Sequence, residues 1–125
     1  MMTPAEIQDG LTQHTGTFHY YRLSPRTVLT DGTAWLAEVA GAYWLMQAID
    51  SYQPRCRKDP MLSEIQFWTL TINADKTALL RCDRDIGDTA IRQRIPYTDF
   101  PLSEIKLYVE PLDERQVVIL LPSEH

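Results

Sequence analysis

The chain has 125 residues, 44% of them hydrophobic and 23% charged, with three tryptophans and six tyrosines. That profile excludes a disordered polymer and bounds residues 1–125 to a single domain that can bury about two thirds of its unfolded surface. A formal net charge of −5 sets the overall field against nonspecific attachment to nucleic acid or anionic membrane, and two cysteines without CxxC or Cys/His spacing, Cys56 and Cys82, exclude a zinc motif and require no disulfide.

The opening stretch MMTPAEIQDG lacks a basic segment followed by an apolar one, so a cytoplasmic protein is expected rather than a secreted one. A short helix begins there. Thr3 is placed to cap it, Pro4 suits the first helical position, and Glu6 completes a capping box. Ile7 and Leu11, four apart, form its single apolar stripe, and Gly10 weakens its second half. From Thr15 to Leu29 the chain is rich in β-branched and aromatic residues, with Gly16 and Ser24-Pro25 as punctuation. It reads as irregular extended chain with room for one short strand.

The longest apolar stretch, Thr30 to Pro54, reads as one buried central helix. Asp31 is expected to cap its start and Pro54 to forbid continuation. Its apolar residues surround the axis, which marks a core helix or a membrane span. Glu38 and Gln47 interrupt the run before it reaches the roughly 18 residues of a span, so a core helix is expected and no membrane partner. Gly41, which costs about 1 kcal/mol in a helix interior, suggests a notch where another backbone packs over Ala40, Gly41 and Ala42.

The connection QPRCRKDPMLSE is mixed in charge and exposed in this reading. Strands follow. QFWTLTIN and TALLRCDR flank a tight turn at Ala74-Asp75-Lys76, DIGD makes a second turn, and TAIRQRIPY alternates apolar with basic residues. IKLYVE alternates again, and RQVVILLP is apolar enough for an interior strand. The order predicts an α+β fold: a short N-terminal helix and a long buried central helix packed on a four- to five-stranded antiparallel meander. Trp68, Leu70, Ile72, Leu80, Ile91, Ile95, Leu107 and Val109 would face the helix. The helix's other side would be covered by Phe18, Tyr20, Tyr21 and Leu23, or by a second copy of the chain.

In order along the chain, TGTFHYYR, TDGTAWLAEVAGAYWLMQAIDSYQ, FWTLTINADK, IPYTDFPLSEIKLY and LLPSEH resemble a family of small uncharacterised bacterial proteins. The resemblance spans nearly the whole chain, and AGAYWL and LLPSEH are its most distinctive pieces. It implies membership in a domain of unknown function, with no catalytic or binding residues to carry over.

Two groups of residues stand out chemically. Glu38 is the only acid in the interior of the expected helix, so its carboxylate needs a cation such as Arg22, or else becomes a neutral acid suited to proton transfer. The structural pairing is preferred, because buried ion pairs are the commoner cause. With His19, Tyr20, Tyr21, Arg22 and Trp44 it forms a candidate pocket or interface. The second group lies on the outward face of the sheet, where alternation places Phe67, Arg81, Arg92, Arg94, Lys106 and Tyr108. Basic and aromatic groups on an open sheet can hold single-stranded nucleic acid, although Asp83 and Glu110 share that face and a mixed-charge solvated surface is the plainer reading. Asp83, Asp85 and Asp88 depart from a calcium loop at Gly87 and Arg94. Neither a metal nor a cofactor is expected. Acyl-transfer, nucleotide and dinucleotide motifs are missing, so the expectation is a non-enzymatic interaction module with a protein partner or a second copy. A small enzyme around Glu38 is the alternative, and nucleic-acid binding on the sheet the next.

Overall fold

The computed structural model describes residues 2–125. Helix α1 (Pro4–Gln13) starts as the spacing predicts. The Glu6 amide donates to the Thr3 hydroxyl and the Thr3 amide to the Glu6 carboxylate, while Ile7 and Leu11 are its buried residues. Gly10 has a packing role beyond its cost in helix propensity: a Cβ there would come within 2.2 Å of the Trp35 ring. The missing side chain lets α1 lie close over the next helix.

The single central helix is replaced by three helices, α2 (Asp31–Val39), α3 (Tyr43–Ser51) and α4 (Gln53–Cys56). The break is local chemistry. Gly41 adopts a left-handed φ of 59°, and the Ala42 amide reaches back five residues to the Ala37 carbonyl at 2.8 Å, the 6→1 bond of a glycine-terminated helix. The expected backbone notch is therefore absent, and a Cβ on Gly41 would meet nothing within 4 Å. Asp31 does not cap α2. Thr30 does, its hydroxyl accepting from the Thr33 amide. Pro54 opens α4 instead of ending the helix before it, since its missing amide is harmless in a first turn.

Two short strands, β1 (Tyr21–Ser24) and β2 (Thr27–Leu29), form a hairpin in the segment read as irregular. The remaining strands are β3 (Gln66–Ile72), β4 (Ala78–Asp85), β5 (Asp88–Ile95), β6 (Glu104–Pro111) and β7 (Val117–Leu120). All seven share one sheet, ordered β1-β2-β7-β6-β3-β4-β5. It is not a simple meander, because β6 returns to the far side of β3 and β2 pairs parallel with β7. Every other pairing is antiparallel. The architecture is α+β, with more strands and shorter helices than the sequence pattern suggested.

The core fills the space between the helices and one sheet face, where Trp68, Leu70, Leu80, Ile91, Leu107 and Val109 meet Leu36, Leu45, Met46 and Ile49. The Trp68 indole donates to Gln66, whose amide exchanges hydrogen bonds with Gln53 at 2.8 and 2.9 Å. This buried polar group is fully paired, so it acts as a strut between α4 and the sheet. At the other end Glu124 ties the closing turn to α2: its carboxylate accepts from the Thr30 hydroxyl at 2.6 Å and from the Gly32 and Leu121 amides. Among the described residues no helix is long and apolar enough to cross a membrane.

Candidate interaction surfaces

The residues grouped around Glu38 do not form a pocket. Glu38 lies on the exposed side of α2, opposite the buried Thr33, Leu36 and Ala37. Breaking the helix at Gly41 removes the apolar turn that would have enclosed its carboxylate. Trp44 is half-buried and borders a groove of about 410 Å³ with Gly41, Tyr97 and Asp99; His19, Tyr20, Tyr21 and Arg22 do not line it.

Those four residues instead form an outward-facing edge. Phe18 is 93% exposed, Tyr20 52% and Tyr21 47%, so these rings do not cover the helices; of the expected cover only Leu23 packs on the core, and α1 lies over α2 where Gly10 meets Trp35. Exposure usually accompanies mobility, but this segment is fixed. The Phe18 amide donates to the Asp31 carboxylate at 2.8 Å, the Asp31 amide to the Thr17 hydroxyl at 2.9 Å, and that hydroxyl to the His19 carbonyl at 2.7 Å. His19 Nδ1 lies 3.9 Å from Asp31 and forms an ion pair when protonated. The Phe18 amide is the main cause holding the Asp31 carboxyl below the ordinary aspartate range. The same carboxylate, bonded to the Tyr21 hydroxyl, holds that phenol above its usual value. Freed from capping α2, Asp31 thus organises the loop before β1. No motif marks this role; the only sequence signal is a second cap candidate, Thr30, directly before it.

Strand β1 itself has a strand neighbour on one side only, β2. The hairpin is anchored to α3 by Asp50, whose Oδ1 accepts from the Ser24 hydroxyl, the Arg26 Nε and the Thr27 hydroxyl.

The sheet face away from the helices carries the second group together. Pairing places Phe67 beside Tyr108 and sets Lys106, Thr69, Arg81 and Arg92 in one row across β6, β3, β4 and β5. Arg94 lies opposite Leu79 in the adjoining row. The Phe67 and Tyr108 rings meet edge to face at 5.2 Å, and Tyr108 meets His125 likewise at 5.5 Å. Val28, Val118 and Leu120 pack around Tyr108 as a small separate cluster. Arg81 pairs with Asp83 at 3.3 Å and Glu110 lies 3.3 Å from His125. Arg92, Arg94 and Lys106 are exposed, and none makes a salt bridge among the described residues.

Residues 5–125 match the model of a family of unknown function, DUF6876. No curated protein and no solved structure matches the chain. The chain belongs to DUF6876, a membership that covers nearly all of it and assigns no site.

Proposed function

We propose that this protein is a non-enzymatic interaction module that self-associates through β1 and the aromatic segment leading into it. The observation that carries the reading is Phe18, 93% exposed on backbone held by Asp31. Large apolar rings on a fixed segment lose little conformational entropy when covered, which favours association. Burying one such ring contributes about 1.5–3 kcal/mol, and a two-fold interface counts it twice. An antiparallel β1–β1 contact is self-complementary, so a second copy satisfies both edges with one geometry. Four residues of strand offer few hydrogen bonds, which leaves the rings to supply most of the attraction. Free, buried Cys56 and Cys82 fit a reducing compartment such as the cytoplasm.

Sedimentation analysis of the intact chain tests this. A dimer is expected, with Phe18→Asp shifting it to monomer while circular dichroism stays unchanged. A monomer at the highest soluble concentration, or a dimer indifferent to Phe18→Asp and Tyr20→Asp, overturns the assignment.

A further inference from the structure

The open sheet face carries an electrostatic arrangement that the fold does not need. Arg81 and Arg92 are direct cross-strand partners, and like charges placed opposite each other destabilise a sheet. Arg94 follows two residues later on the same side of β5, and Lys106 extends the row two strands away. Guarding an edge strand against aggregation calls for charge on β5 alone; it does not explain Arg81 on β4 or Lys106 on β6. Among the described residues Arg81 alone of the four has a salt-bridge partner, Asp83, whose other oxygen is occupied by the Thr89 hydroxyl at 2.6 Å. Of the other acids on this face, Glu104 pairs across from Thr71 and Glu110 lies against His125. Four of the chain's 12 Lys and Arg residues thus converge on one face of an otherwise acidic protein.

We propose that this face binds single-stranded nucleic acid, with Lys106, Arg92 and Arg94 contacting phosphates and Phe67 beside Tyr108 offering ring surface to a base. The aromatic pair favours this ligand over an acidic peptide, because a base has a π-face to stack and a carboxylate side chain does not. Each phosphate contact releases counterions, so binding is strongest at low salt, where it must also overcome the longer-range repulsion from the net charge of −5.

The test is fluorescence anisotropy of labelled oligo-dT titrated with the full chain over a salt series. Three phosphate contacts predict a slope of log K against log salt of about −2, from roughly −0.7 per contact on single strands. Arg92→Gln with Arg94→Gln removes two contacts and should bring the slope to about −0.7. Phe67→Leu should weaken binding about tenfold while leaving the slope unchanged, as loss of stacking requires. With an oligonucleotide too short to bridge two copies, Phe18→Asp should leave binding intact, which separates this result from self-association. Absence of an anisotropy change at the lowest salt overturns the proposal, as does a slope indifferent to the arginine variant. Competition by polyglutamate as effective as by oligo-dT also overturns it and identifies an acidic protein partner instead.

Discussion

Replacing Gly41 by alanine separates two descriptions of the central segment by the sign of one measurement. In an uninterrupted helix the substitution stabilises, since alanine exceeds glycine in helix propensity by about 1 kcal/mol. In the structure Gly41 has a φ of 59°, where a Cβ conflicts with its own backbone at a cost of about 1–2 kcal/mol. No packing term complicates the comparison, because that Cβ would have nothing within 4 Å. Gly41→Ala should therefore destabilise by about 1–2 kcal/mol, which at a urea m-value near 2 kcal/mol/M lowers the midpoint by roughly 0.5–1 M. Gly41→Asn should cost less, because asparagine tolerates the left-handed region better than alanine. Urea unfolding followed by tryptophan fluorescence measures both. A midpoint that rises for Gly41→Ala, with an unchanged m-value, would refute the broken helix and restore a continuous one.

Two further predictions concern the ties that hold the start of α2. Glu124→Ala removes three hydrogen bonds from the Thr30 hydroxyl and the Gly32 and Leu121 amides; a loss of about 1.5–3 kcal/mol is expected, and calorimetry showing no fall in melting temperature would contradict it. Asp31 has a carboxyl held low in the folded state, so its contribution is present above the unfolded aspartate value and is lost as pH falls through the lower folded one. The Phe18 amide proton resonance should titrate with a midpoint below the ordinary aspartate range, and Asp31→Asn should abolish that step; an ordinary midpoint in the parent protein would break the link.

The strands from β3 to β6 were legible because alternation with period two survives in each, and the register confirms Trp68, Leu70, Leu80, Ile91 and Leu107 on one face; β7 was legible from its continuous apolar run. The helix break was not, although its signal was present. A glycine followed by a buried alanine is also the ending of a glycine-capped helix, and the surrounding apolar residues made packing look the stronger explanation. Strand β2 has three residues and pairs with β7 some 90 positions away, so neither periodicity nor a local turn could reveal it. The surroundings of Glu38 were misjudged along with the long helix: without the continuous helix Glu38 lies exposed on α2, and Trp44 lies beyond the break on α3. The aromatic segment failed in the opposite sense, because ring size was read as burial while Asp31 fixes Phe18 in solvent.

The two surfaces that remain occupy different parts of the sheet: self-association uses the β1 edge, and the basic, aromatic face runs from β6 to β5. The nearer of those strands, β6, is three strand spacings from β1, roughly 14 Å at about 4.8 Å each. At that distance an exposed substitution on one surface is not expected to couple to the other, and screening at physiological salt removes most of the charge interaction between them. Self-association and ligand binding can therefore be lost separately. A two-fold axis normal to the sheet at β1 would leave both open faces on the same side, with the two basic rows flanking the β1–β1 contact. A single strand too short to reach both rows would then bind each copy independently, while a longer one would gain affinity by bridging them. Lengthening the oligonucleotide should raise the apparent affinity of the parent chain well beyond that of Phe18→Asp, which gains only from the greater number of sites on the strand.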